Sequence, residues 1–152
     1  MDEFDRRILQ RLQLDARTTS EEIAESVGLS ATAVQRRIKR LRSEGAIRAE
    51  VAIVDPAAVG QGLTVIVGIE LIQGSRTDLI DRFKRRMAAE PQVQQCYYVA
   101  GDHDFVLVVL ARDVRDYEAL SRRLWFEDAN IKRFSTTFVL DPVKTGLQVP
   151  IA

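Results

Sequence analysis

Residues 30–47, SATAVQRRIKRLRSEGAI, restrict this chain more than any other stretch. Val34, Ile38 and Leu41 fall at i, i+4 and i+7, the spacing that puts three side chains on one helix face. At about 100° per residue, Thr32, Arg36, Lys39 and Arg40 point the opposite way, with Ala33 and Gln35 beside them. Ser30 is a helix-capping type, and Gly45 suits the left-handed turn that ends a helix. The run from 36 to 42 holds Arg36, Arg37, Lys39, Arg40 and Arg42 with no acid among them. Taken alone, such a helix is either a solvated surface element or a surface for a polyanion.

The preceding residues favour the second. Residues 20–28 read SEEIAESVG, with Ile23, Ala24 and Val27 on one face. Thr19 with Glu22 three positions later fits a capping box. A short Gly28-Leu29-Ser30 turn then leads into the basic helix. Two short helices joined by a tight turn, the second one basic, form the helix-turn-helix pattern. Asp2 can cap an earlier helix with Phe4, Ile8, Leu9 and Leu12 at helical spacing and Arg6, Arg7 and Arg11 outside. Three helices therefore make the first unit.

The charge balance limits where a polyanion can bind. The 152 residues carry 22 basic and 22 acidic side chains, so affinity for double-stranded DNA must come from a local patch. The lone Cys96 excludes an internal disulfide framework and a cysteine metal site, and no metal cluster or cofactor is expected. The opening MDEFDRR lacks a signal-peptide pattern, and residues 105–111 are too short an apolar run to span a bilayer. A cytoplasmic location without membrane association is expected.

After Gly45 the chain changes character. Residues 46–54, AIRAEVAIV, read as a strand, and Asp55-Pro56, Gly60 and Gly62 as a turn-rich linker. The domain scheme is thus 1–54, a linker over 55–62, and a second domain over 63–152. In the second domain the patterning predicts strands over 63–72, 93–100, 105–112 and 131–140, with helices over 76–89 and 116–126. The fold class is α+β: a three-helix helix-turn-helix domain followed by a ferredoxin-like βαββαβ domain. Residues 105–110, FVLVVL, are apolar at every position, whereas a strand with one wet face alternates. The uncovered sheet face implies a homodimer, or a higher even oligomer.

In this order and spacing the chain resembles the leucine-responsive regulatory protein (Lrp)/AsnC family, the feast/famine transcription regulators. The resemblance rests on Phe4-Asp5-Arg6-Arg7-Ile8-Leu9, Asp15-Ala16-Arg17, Ile23-Ala24, Val27-Gly28-Leu29-Ser30, Arg37-Ile38-Lys39-Arg40-Leu41, Gly45-Ala46-Ile47, Asp55-Pro56, Gly101-Asp102-His103-Asp104 and residues 136–139. It covers essentially the whole chain. The chain departs from the family pattern at Arg42, where an acid is usual, at Arg48-Ala49, at Asp128-Ala129-Asn130, and at His103, where tyrosine is frequent.

The resemblance implies a transcription regulator that binds double-stranded DNA through its second helix-turn-helix helix and senses a small molecule, usually an amino acid. Ser30 and Arg37 belong to the expected DNA-binding set. Thr32, Ala33, Gln35 and Arg36 are expected at base edges, and Lys39, Arg40 and Arg42 at phosphates. The effector is expected near Gly101, Asp102, His103 and Asp104. Asp102 or Asp104 would accept from its ammonium, and Tyr98, Thr136 and Phe138 would border its side chain. An alternative use of the helix is architectural compaction of DNA. A second alternative, a tetrapyrrole decarboxylase of similar fold, relies on histidines, and His103 is the sole histidine here. No enzyme activity is expected.

Overall fold

Three capped helices open the chain in the computed structural model, which describes residues 1–72 and 77–152. Helix α1 spans Glu3–Leu12, α2 Ser20–Val27 and α3 Ala31–Ser43. Each start is fixed by a side chain. Asp2 accepts from the Asp5 backbone N–H, Thr19 from that of Glu22, and Ser30 from that of Ala33. Both the first and second caps are reciprocal boxes, closed by the Asp5 and Glu22 side chains. Gly28, at φ +76°, ends α2 in the left-handed conformation and releases the chain into α3. Ile8, Ile23, Ala24, Val27, Val34, Ile38 and Leu41 form the buried centre of this unit.

Residues 46–54 depart from the expected strand. Among the described residues they join no ladder, and Val51, Ile53 and Val54 are exposed. β-branched composition favours an extended backbone, but a strand also needs a partner for its N–H and C=O groups. None of the described residues provides one here.

The second unit, Val54–Val143, is built on a four-stranded antiparallel sheet. Its strands are β1 (Leu63–Leu71), β2 (Val93–Tyr98), β3 (Phe105–Ala111) and β4 (Ile131–Phe138), ordered β2-β3-β1-β4. Helices α4 (Thr77–Ala88) and α5 (Val114–Ser121) connect β1 to β2 and β3 to β4, completing the ferredoxin-like arrangement. The expected first residue of α4, Arg76, lies outside the described residues. The second helix is shorter than expected: after Ser121 it widens into a π-turn over Arg122–Phe126, which buries the adjacent Leu124 and Trp125.

One sheet face packs Val65, Val67, Ile69, Phe105, Leu107 and Val109 against Phe83, Met87, Leu120 and Trp125. The other face is half covered. Ile66 is exposed there, while Val106, Val108 and Leu110 are partly buried.

The C-terminal tail, Lys144–Ala152, groups with the helical unit instead of the sheet unit. Gln13 holds it at both backbone positions of Val149, donating to the carbonyl at 3.0 Å and accepting from the N–H at 3.1 Å. Gln10 donates to the Ile151 carbonyl at 3.0 Å.

Candidate nucleic-acid interface and effector loop

The outward side of α3 divides into free and committed side chains. Thr32, Gln35 and Arg36 are exposed on the first two turns, with Ala33 half-buried beside them. The Ser30 hydroxyl is occupied by its cap, accepting from the Ala33 N–H at 3.2 Å. Among the described residues, Arg36 and Lys39 have no carboxylate partner. The other cations do. Arg37 Nη1 donates to Asp2 Oδ2 at 2.7 Å and to Asp5 Oδ1 at 2.8 Å, and its guanidinium lies over the Phe4 ring. Arg40 Nη2 donates to Asp5 Oδ2 at 2.5 Å. Arg42 bridges both carboxylate oxygens of Glu50 at 2.8 and 2.9 Å.

Arg37 and Arg40, both expected at DNA, therefore turn toward α1. The cause is Asp5, a fully buried carboxylate that sequence reasoning passed over. Burial alone would raise its pKa. The Asp2 backbone N–H and the Arg37 and Arg40 guanidiniums outweigh that and hold it at about 2. A signal was available. Asp5 stands at i, i+3, i+4 and i+7 with Ile8, Leu9 and Leu12, so it lies on the apolar stripe of α1.

The loop between β2 and β3 carries the expected effector residues in three distinct situations. Asp104 is structural. Its Oδ2 accepts from the Leu71 N–H at 2.7 Å, its N–H donates to the Ile69 carbonyl at 2.8 Å, and its carbonyl accepts from Val99. His103 covers the sheet's outer face at Gly68, and its buried Nδ1 has no hydrogen-bond partner among the described residues. Gly101 and Asp102 are exposed.

Tyr98 adjoins this loop as the last residue of β2, paired with Phe105, whereas Thr136 and Phe138 do not join it within the unit. Tyr98 lies on edge strand β2, stacked on Phe105 at 4.9 Å and capped by Lys84 at 4.6 Å. Thr136 and Phe138 lie on the opposite edge, β4, against Tyr117: the two hydroxyls are 2.6 Å apart, and the rings meet edge to face at 5.8 Å. Three interstrand spacings, about 14 Å, separate the two edges.

A capped helix-turn-helix with free cations on its second helix, followed by a βαββαβ domain, defines a DNA-binding transcription regulator of two-domain design. Known proteins agree with this in both halves. The AsnC-type helix-turn-helix domain matches residues 1–42, and the Lrp/AsnC ligand binding domain matches residues 64–149. The chain belongs to the Lrp/AsnC family of transcription regulators. An uncharacterized HTH-type transcriptional regulator of Sinorhizobium fredii is 48% identical over 151 residues, covering 99% of this chain and 89% of the relative. The crystal structure of an AsnC family regulator from Agrobacterium tumefaciens superposes with a TM-score of 0.91 at 33% identity, covering 99% of this chain and 97% of that one. A transcriptional regulator from Neisseria meningitidis, solved in complex with L-Met, also gives 0.91, at 26% identity over 99% of this chain and 96% of that one.

Proposed function

We propose that this regulator reads double-stranded DNA through the N-terminal half of α3 and answers to an amino acid or a related small metabolite. The observation that carries the reading is the exposure of Thr32, Gln35 and Arg36 on a helix whose start is fixed by Ser30 and whose opposite face is locked in a core. An α-helix fits the major groove, and polar side chains on its outer turns reach base edges. Arg36 suits a guanine edge, Ala33 a thymine methyl, and Lys39 a phosphate.

The effector proposal places the ligand at the exposed tip, Gly101 and Asp102, with His103 beside it. Asp102 is the free carboxylate for an ammonium group, since Asp104 is engaged with β1. The L-Met complex of the Neisseria regulator supports this ligand class. Tyr98 flanks the loop in the same chain, whereas Thr136 and Phe138, on the opposite sheet edge, would enter such a site through a second copy. The partly open outer face, with Ile66, Val106, Val108 and Leu110, supports a homodimer or a higher even assembly. The role is regulatory rather than enzymatic. The place of action is cytoplasmic, and among the described residues no helix is long and apolar enough to cross a membrane.

The test is a gel shift on the DNA upstream of the chain's own coding sequence, with random competitor, repeated with each of the twenty amino acids. Retention altered by one amino acid is expected. Retention that none of them alters would remove the amino-acid effector and favour the architectural use of the same helix.

A further inference from the structure

The cations of α3 are not equivalent, and the difference has a consequence for how strongly the protein binds DNA of any sequence. Five positive side chains lie between positions 36 and 42. Arg37 is three-quarters buried, with 23% of its side chain exposed, and it holds two carboxylates at once. Arg40 shares the second of these, Asp5, whose side chain is 1% exposed. Asp2 and Asp5 balance the charges of Arg37 and Arg40. The Arg40 side chain is 44% exposed and keeps N–H donors to spare, but drawing either guanidinium fully onto a phosphate takes it from Asp5. That exchange strands a buried carboxylate, a cost that one solvent-exposed phosphate interaction does not offset. Arg36 and Lys39 carry no such tie.

We infer that Asp5, aided by Asp2, is a specificity-determining residue: it withholds Arg37 and Arg40 from DNA phosphates and leaves Arg36, Lys39 and the surface-paired Arg42 as the charges of α3 open to DNA. This rests on α3 being the DNA-facing helix. Phosphate interactions carry no sequence information, so each one withheld lowers affinity for random DNA more than it lowers discrimination. The helix therefore shows five cations in sequence and commits few of them to the DNA backbone. Asp5 also closes the cap of α1, which fixes the carboxylate without help from the arginines.

The experiment is a titration of full-length protein against a labelled random duplex over a range of salt concentrations, read by fluorescence anisotropy. Lys39→Gln, Arg40→Gln and Asp5→Asn are compared with wild type. The slope of log affinity against log salt is expected to become shallower by about 0.9 per bound subunit for Lys39→Gln, because one phosphate fewer is neutralised. It is expected to stay unchanged for Arg40→Gln and to steepen by about 0.9 or more for Asp5→Asn, with tighter binding to random DNA. A variant that merely loosened the fold would weaken binding, not steepen its salt dependence. If Arg40→Gln loses as much slope as Lys39→Gln, or folded Asp5→Asn keeps the wild-type slope, the inference is overturned. Should Asp5→Asn fail to fold, the pair Lys39→Gln and Arg40→Gln still decides. An unchanged slope in Arg36→Gln and Lys39→Gln together would instead remove α3 as the DNA face, and the inference with it.

Discussion

The imidazole of His103 rests on Gly68 so closely that a Cβ built at Gly68 would fall 2.5 Å from Nε2 and 2.6 Å from Cδ2. Gly68 sits on central strand β1, so this packing ties the tip of the β2–β3 loop to the outer face of the sheet. Asp104 ties the base of the same loop to the end of β1. The loop is thus held at two points, with Gly101 and Asp102 projecting from it.

Gly68→Ala is expected to expel the His103 ring, because the ring is the movable partner and the strand is not. The cost is about 1 kcal/mol, at the lower end for overpacking a filled site. His103→Ala in the same chain is expected to remove most of that cost, giving a coupling energy well outside error in a double-mutant cycle. Urea denaturation of the four proteins measures it. Additive losses would show that ring and glycine do not interact.

Asp102 and Asp104 are expected to separate cleanly. Asp104→Ala leaves the Leu71 N–H without its acceptor and should cost about 1–2 kcal/mol in chemical denaturation. Asp102→Ala should leave stability within about 0.5 kcal/mol, as for an exposed residue away from structural interactions. Isothermal titration with the amino acid that alters DNA retention should show the reverse order for ligand binding. Undiminished binding in Asp102→Ala would remove that carboxylate from the effector site.

Acid should weaken the helical unit through Asp5. Its folded pKa, about 2, lies below the ordinary 3.8, so the unfolded chain takes up the proton first as pH falls. The stabilisation is complete above about pH 4 and is lost as pH falls toward about 2. A shift of this size corresponds to about 2 kcal/mol. Denaturation of wild type and Asp5→Asn between about pH 5 and pH 2 should show the wild-type advantage shrinking by about that amount. A constant difference would mean that Asp5 is not held ionised by Arg37 and Arg40.

Gln13→Ala is expected to release the C-terminal tail from α1, since one amide side chain makes both hydrogen bonds to Val149. The stability cost is about 1 kcal/mol. Limited proteolysis should cleave residues 144–152 faster in the variant. Equal cleavage rates would show that these amides do not hold the tail.

What the sequence discloses is mostly local. Thr19 with Glu22, and Ser30 with Gly45, mark helix ends because caps act within three or four residues, and Val34, Ile38 and Leu41 mark a buried face by spacing alone. The alternation of strands and helices after residue 62 discloses the βαββαβ order for the same reason. What escapes is pairing at a distance. Residues 46–54 have the composition of a strand, but composition does not say whether a partner strand exists. Tyr98 and Thr136 look equally available until the strand order puts them on opposite edges. Arg37 and Arg40 read as free cations because their partner, Asp5, lies 32 and 35 positions away. Gln10 and Gln13 give no sign that they hold a tail 141 and 136 positions further on.

The most direct test of DNA reading by α3 is the affinity of Arg36→Ala for the DNA upstream of its own coding sequence and for a random duplex, at one salt concentration. Arg36 is exposed and without a carboxylate partner among the described residues, on the turn of α3 assigned to base edges. A loss of about 1–3 kcal/mol is expected on the specific fragment, with a much smaller loss on random DNA. Equal losses on both would contradict the assignment, reducing Arg36 to a phosphate-binding residue and leaving sequence readout to another surface.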